Sequence, residues 1–327
     1  MISIVVCTYN GASRILPCLD SLITQQNAPP HEILVVDNAS IDETADLVEK
    51  CLKDKFSDGD WKVLKESKSG LLHARLKGLE ESKYDWVLFC DDDNVLFPDF
   101  LSVCQKLLIK GSKLGVLGSH GIPEFENKKP EWFDSYSSSY AVGPQLKNTN
   151  LRRHLDYVYG ASSIYRKKGL LELFSSGFLP ILSDRKGNLL VSGGDVEWCA
   201  LMQLLGYQIA YSPRLKFYHQ IPQRRLTWDY YLKLKKGITS GAGLLFPYHY
   251  FFESTIHNPV AFRWAYLKET AKAGLLFLKY SILWKGKPSS PENQLAYLIL
   301  GTKFRSFKEN RRVAIRHFKQ ICRHFGT

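Results

Sequence analysis

The sequence predicts an α/β protein built on a parallel sheet, and three observations carry the prediction. Apolar runs rich in β-branched and aromatic residues recur at Ile2 to Thr8, Glu32 to Val36 and Tyr84 to Phe89. Stretches with helical spacing separate them. Each run closes on polar residues: Thr8-Tyr9-Asn10-Gly11, Asp37-Asn38-Ala39-Ser40 and Cys90-Asp91-Asp92-Asp93-Asn94. Strand, helix, strand, helix at this spacing marks βαβ units. Continuous apolar runs mark strands covered on both faces.

In order, Ile2 to Thr8 is the first strand, and a helix follows over Ser13 to Leu22. After the second strand, Asp42-Glu43-Thr44 leads a helical pattern through Ala45, Leu47, Val48 and Leu52. Trp61 to Leu64 is a third strand, a helix starts over Gly70 to Gly78, and the strand ending at Asp91 comes next. In open α/β sheets ligands bind outside the carboxyl ends of strands. Thr8, Asn10, Asp37, Asn38 and Asp91 to Asp93 all fall at such ends, where the alternative is a set of turn-shaping and helix-capping groups. Neither GxGxxG nor GxxxxGK[ST] occurs, so a dinucleotide fold or a P-loop has no support.

Three adjacent carboxylates after a buried strand repel one another unless a cation sits among them. In extended backbone alternate side chains share a side, so Asp91 and Asp93 are expected to point together and Asp92 away. Oxygen ligands suit Mg²⁺ or Mn²⁺, which one or two carboxylates plus substrate phosphates commonly hold.

The 327 residues are enough for one large domain or two smaller ones. No apolar run reaches the roughly 18 residues of a membrane span, and Met1 to Val6 lacks the basic start of a signal peptide. Seven scattered cysteines without a CxxC pair favour free thiols and a cytoplasmic location. The net charge of +12 is unevenly placed, for residues from Leu201 onward carry 21 Lys+Arg against 5 Asp+Glu. A phosphorylated substrate, an anionic membrane surface or nucleic acid would each suit that excess.

The middle segment, Gly118 to Tyr165, is rich in Ser, Tyr, Asn, Lys and Pro and is expected to include long loops bordering the site. Its aromatics Trp132, Phe133, Tyr136, Tyr140, Tyr157 and Tyr159 are candidates for an aromatic platform under a ligand ring, with ordinary packing preferred for most. Ser192-Gly193-Gly194-Asp195-Val196-Glu197 precedes an expected helix over Ala200 to Leu205, stopped by Gly206. Beyond residue 221, Trp228 to Lys236, Ala261 to Trp284 and Gln294 to Phe318 read as basic helices with interleaved aromatics. Such helices suit a membrane interface, or pack on the preceding domain and carry charge outward.

Several of these segments, taken together, resemble family 2 glycosyltransferases of the GT-A fold: Ser3 to Asn10, Glu32 to Ser40, Gly70-Leu71-Leu72-His73-Ala74-Arg75 and the DxD element Asp91-Asp92-Asp93. They come in the family's order and spacing across about the first 110 residues. The resemblance implies a GT-A three-layer α/β/α sandwich with a C-terminal helical extension. Catalytic residues 1–221 would divide into a nucleotide-sugar half, about 1–110, and an acceptor half, about 111–221, with 222–327 as the basic extension. It further implies a nucleotide-diphosphate sugar donor, a UDP-sugar favoured, and a lipid-linked or saccharide acceptor in cell-surface polysaccharide or glycolipid biosynthesis. Nucleotide contacts fall to Thr8, Asn10, Asp37, Asn38, Gly70, Arg75, Asp91 and Asp92, and Mn²⁺ or Mg²⁺ to Asp93 and His219. His219 could equally touch the diphosphate or be a hydrogen-bonded core residue. The family's usual Glu-Asp pair reads Gly194-Asp195 here; Asp195 is expected to be the catalytic base, with Glu197 the second candidate. Gln223 to Trp228 does not match the Gln-x-x-Arg-Trp element of processive synthases, so single-sugar transfer is expected. A nucleotidyltransferase would show a Gly-rich basic signature that residues 1–20 lack. A nucleic-acid-binding module leaves the four segments unexplained, and no nucleic acid partner is expected. A catalytically degenerate sugar-nucleotide-binding relative is the remaining alternative.

Overall fold

A computed structural model describes residues 1–56, 60–109, 113–145, 155–185, 190–286 and 288–326. Among them, eight strands form one sheet: β1 (Ile2–Thr8), β2 (His31–Asp37), β3 (Asp60–Lys65), β4 (Trp86–Asp91), β5 (Asn94–Leu96), β6 (Leu114–Phe125), β7 (Ser163–Arg166) and β8 (Gln208–Ile221). Their order is β3-β2-β1-β4-β7-β6-β8-β5. Strands β1 to β4 pair in parallel, as the apolar runs predict. Strand β7 runs antiparallel to both β4 and β6, and β5 antiparallel to β8. The register sets Thr8 opposite Asp37 and Cys7 opposite Asp91, so the three polar strand ends share one edge of the sheet.

The helices are α1 (Ile15–Ile23), α2 (Thr44–Lys55), α3 (Leu71–Glu81), α4 (Phe100–Leu108), α5 (Phe133–Tyr136), α6 (Lys167–Ser175), α7 (Gly194–Leu204), α8 (Trp228–Ser240), α9 (Ala242–Glu253), α10 (Pro259–Leu283) and α11 (Pro291–Phe325). The segment from Gly118 begins as strand, with β6 continuing to Phe125, and strand returns only at Ser163. Residues 146–154 of that segment lie outside the described residues. Helix α9 lies outside the helices that the sequence reading named, and Pro247 inside it lacks the N–H an interior helical position uses. Packing overrides that cost: Phe246 meets Phe262 and Phe307 with ring centroids 5.8 and 5.4 Å apart.

The chain divides into two compact units. The first comprises Met1–Asn148, Asp156–Leu179 and Leu201–Leu226, and the second Thr149–Leu155, Pro180–Ala200 and Thr227–Thr327. In the first, Ile4, Val6, Ile33, Val35 and Leu88 of the sheet pack with Leu19 and Leu22 of α1 and Phe100 and Leu101 of α4. In the second, Phe262, Tyr266, Phe307, Ala314 and Phe318 form the core, with Phe262 stacked on Phe318 at 4.1 Å. Full burial of each such ring contributes roughly 2–3 kcal/mol. Pro180–Ala200 groups with the C-terminal helices. Glu197 ties it there through bonds described below.

Candidate active site

In the first unit the DxD carboxylates take three different environments. Asp92, 7% exposed, accepts from Thr8 Oγ1 at 2.6 Å and from Arg14 Nε and Nη2 at 2.8 and 2.7 Å. Burial pushes the Asp92 carboxyl up and the Arg14 guanidinium pulls it back. Both oxygens are thus engaged in pinning β1 to β4, and the side chain positions the strand ends. Gly11 makes this packing feasible: a Cβ there would stand 2.1 Å from Thr8 Oγ1 and 2.8 Å from Asp92 Oδ2. Asp91 is half-buried and its carboxylate makes no hydrogen bond among the described residues. Asp93 Oδ2 meets Arg225 Nη1 at 2.8 Å and lies 3.4 Å from His219 Nε2.

His219 comes from β8, paired antiparallel to β5 so that it stands opposite Asn94. Its Nδ1 donates to the Tyr140 carbonyl at 2.7 Å, and the Tyr140 hydroxyl donates to the Arg225 carbonyl at 2.9 Å. Tyr140, one of the proposed platform aromatics, is therefore buried as a brace behind both partners of Asp93. Phe133 packs beside it at 5.1 Å. With Nδ1–H given to a carbonyl, Nε2 faces Asp93, a second-sphere arrangement typical of metal-ligating histidine. A divalent cation between the two would satisfy both electron-rich atoms. Among the described residues no group of three His, Cys, Asp or Glu side chains converges on one point, so an all-protein cage is not formed. One carboxylate and one imidazole fit instead an ion that takes its remaining ligands from substrate phosphates.

Along the same sheet edge, Asp37 accepts from Ser40 N at 3.2 Å. Asn10 has a left-handed φ of 49° and its Oδ1 accepts from Ile41 N at 2.9 Å. Asn38 uses its amide on the Lys68 and Glu66 carbonyls and on Gly70 N, which holds the approach to α3. Arg75 on α3 is buried, its guanidinium over the Phe89 ring at 5.9 Å. Beside Asp37 an open cleft of about 480 Å³ is lined by Asp37, Ser40, Asp42, Asp46, Lys65 and Glu66 among others. The structure thus brings Thr8, Asn10, Asp37, Asn38, Gly70, Arg75 and Asp91 to Asp93 to one edge, with His219 on Asp93. Arg14, Gly11 and Arg225 are the site residues that sequence reasoning missed, and Tyr140 was found but in another role, as a brace rather than a platform.

In the second unit, the expected helical start at Ala200 is corrected to Gly194. The cause is Asp184, whose Oδ1 accepts from Gly194 N at 2.7 Å and so caps the first turn from outside the helix. A Cβ at 194 would stand 2.1 Å from Asp184 Oδ2. The absence of a side chain at 194 therefore makes room for a buried carboxylate from elsewhere in the chain. Asp195 is half-buried in that first turn and its Oδ1 accepts from Val196 N at 2.9 Å.

Glu197 is fully buried and accepts from Ile181 N, Leu182 N and the Tyr248 hydroxyl at 2.9, 2.9 and 2.7 Å. His317 Nε2 lies 2.7 Å from that hydroxyl. Burial pushes Glu197 up to about 7, with Asp184 adding to the rise, and burial pushes His317 down to about 4. Folded Glu197 holds its proton more tightly than in the unfolded chain, so its contribution is present at low pH and is lost as pH rises from about 4.5 through about 7. His317 does the opposite, its contribution appearing as pH rises from about 4 to 6.5. Glu197→Gln removes the falling arm. The variant should gain roughly 3 kcal/mol of stability relative to the native protein between pH 4 and pH 8. Melting curves of both proteins across that range measure it, and a gap independent of pH would contradict the buried-acid assignment.

The α/β sheet gathers Asp37 and Asp91 to Asp93 at neighbouring strand ends, the edge at which open α/β sheets meet ligands. The chain belongs to glycosyl transferase family 2, whose family model matches residues 3–174, more than half of its length. Poly-beta-1,6-N-acetyl-D-glucosamine synthase of Staphylococcus epidermidis is 23% identical over 225 residues, covering 68% of this chain and 50% of the synthase. The chain spans about half or less of the length of the first curated relatives it matches. Mannosyltransferase PcManGT of Pyrobaculum calidifontis, solved with GDP-Man and Mn²⁺, superposes with a TM-score of 0.57 at 18% identity, covering 95% of this chain and 86% of its own. TarS 1–349 of S. aureus, solved with UDP-GlcNAc, gives 0.52 at 17% identity, covering 98% and 90%. These likenesses show the fold.

Proposed function

We propose that the protein transfers one sugar from a nucleotide-diphosphate sugar to an acceptor hydroxyl, with inversion, in cell-surface polysaccharide or glycolipid biosynthesis. The observation that supports it most is the placement of Asp93 and His219 at the strand-end edge that also carries Thr8, Asp37 and Arg75, in a chain of glycosyl transferase family 2. Asp37 and the cleft beside it offer a seat for the nucleoside, and Arg75 a cation nearby. Asp93 and His219 would hold Mn²⁺ or Mg²⁺, which supplies charge stabilisation to the departing diphosphate. The acceptor hydroxyl is a weak acid, and a carboxylate must take its proton during attack. Asp195 is the proposed base, for Glu197 is sealed off and consumed by three donors.

We assign the nucleotide-sugar role to residues of about 1–110, acceptor binding to about 111–221, and attachment to the basic residues 222–327. The proposed acceptor is lipid-linked or a saccharide, and the proposed location is the cytoplasmic face of a membrane. Among the described residues no helix is long and apolar enough to cross one. A UDP-sugar is the favoured donor, and a GDP-sugar is the competing choice that the PcManGT complex keeps in view. A panel of sugar nucleotides with Mn²⁺ tests this, read as slow hydrolysis and as a rise in melting temperature by mass action. Stabilisation of several degrees by one donor is the expected result. Stabilisation without hydrolysis would leave the catalytically degenerate relative, and a flat response to every sugar nucleotide would overturn both readings.

A further inference from the structure

Resting on the reading that the acceptor is lipid-linked, we propose that the outward face of α10 is a membrane-docking surface that seats the enzyme on an anionic bilayer. Helix α10 is apolar on two faces, and among the described residues only one of them is packed. Inward, Phe262, Tyr266 and Ala273 are buried, and Phe277 packs on Tyr297 at 5.1 Å. Trp284, just past the helix, meets Tyr280 at 4.8 Å and is turned inward as well. Outward, Val260, Trp264, Leu275, Leu278 and Ile282 are 56–69% exposed. Together with Lys268 and Ala271 they follow one another at intervals of three and four, which places them in one stripe along the helix. A helix of an ordinary globular domain shows one such face.

The borders of the stripe select its occupant. Lys268 within the stripe and Arg263, Lys272, Lys279 and Lys285 beside it are all exposed. The single acid of α10, Glu269, stands 3.8 Å from Lys272. An apolar stripe carrying a Trp and edged by cations has the chemistry of a helix lying in the plane of an anionic lipid surface. A second copy of this chain fits less well. Pairing the stripe with itself about a two-fold axis would bring two cationic borders together with no acids to receive them. Helix α10 is about 37 Å long at the usual rise, enough to lay the whole stripe along a headgroup layer.

Co-sedimentation of the full chain with vesicles tests the proposal, using phosphatidylcholine alone and mixed with phosphatidylglycerol, at low and physiological salt. Wild type should bind the anionic vesicles at least tenfold better than the neutral ones, and less as salt rises through screening. The triple variant Trp264→Ser, Leu275→Ser, Leu278→Ser should lose binding at least tenfold, with its melting temperature and its hydrolysis of sugar nucleotide unchanged. Lys268→Glu, Lys272→Glu, Lys279→Glu should lose both binding and salt dependence. Full vesicle binding by the serine variant would overturn α10 as the docking face while leaving attachment through other basic residues. No binding of wild type to either vesicle would overturn membrane docking altogether. A native dimer that the serine variant converts to monomer would assign the stripe to a second copy. Vesicle binding with no sugar-nucleotide hydrolysis would count against glycosyl transfer alone and leave the surface in place.

Discussion

Turnover should vanish in excess chelator and return with Mn²⁺ or Mg²⁺, and Asp93→Asn should reduce it at least a thousandfold. The sequence alone suggests Asp93→Ala as the test, because a carboxylate at a strand end carries little packing. The structure makes alanine the wrong choice. Asp93 faces Arg225, whose side chain is 10% exposed, at 2.8 Å. Removing the carboxylate would strand a guanidinium out of water, at a cost of roughly 3–5 kcal/mol, and lost activity could then reflect lost fold. Asparagine keeps the shape and an oxygen for Arg225, while withdrawing the charge a divalent cation needs. The measurement is product formation, or donor hydrolysis, at matched melting temperature with and without metal. Full activity in chelator would remove Asp93 and His219 as the proposed metal holders. Equal loss in Asp93→Asn with and without metal would assign Asp93 to orienting Arg225 instead.

How far the site was legible depended on whether its geometry is local. Strands β1, β2 and β4 announce themselves by apolar runs, and their polar ends follow within one or two residues, so Thr8, Asp37 and Asp91 to Asp93 could be placed on one edge without coordinates. Asp92 does go its own way, to Thr8 and Arg14, but Asp92 and Asp93 form a turn between β4 and β5, so the alternation of extended backbone does not apply and Asp91 and Asp93 do not share surroundings. What receives Asp92 was not legible, since Arg14 reads as one more exposed residue at a helix start. Nor was the brace on Asp93. Arg225 reaches it only because β8 folds back antiparallel to β5, a pairing that no periodicity reports, and His219 was set beside Asp93 by the family resemblance alone. The helix start at Gly194 was hidden for a similar reason: two consecutive glycines read as a breaker, and the cap comes from Asp184. In α10 the pattern was visible but its direction was not. A helix apolar on two faces does not say which one is buried, so Phe277 and Trp284, the natural candidates for insertion, pack inward, while Trp264 and Leu275 face out.

Asp195→Asn should lower turnover roughly 10²–10⁴-fold, the range a general base supplies, while donor binding stays within about twofold. The substitution is nearly isosteric, and its amide oxygen can still accept from Val196 N as Asp195 Oδ1 does at 2.9 Å. The helix start is held independently by Asp184 on Gly194 N, so the first turn should survive. Glu197→Gln is the necessary control, because the two acids are two residues apart and either could be the base on sequence grounds. The structure separates them by access and by occupation. Glu197 is fully buried, and two backbone N–H groups and the Tyr248 hydroxyl converge on its carboxylate. A group so enclosed cannot receive a proton from an incoming hydroxyl without opening the packing around it. Its removal should therefore appear in the pH dependence of melting and leave turnover within about threefold at the pH where both proteins are equally stable. Asp195 should behave the other way, with an unshifted melting curve and a collapsed turnover. Should Glu197→Gln cripple turnover in a fully folded protein while Asp195→Asn remains active, the base sits two positions further along α7. The loop over Ile181 and Leu182 would then have to open during catalysis.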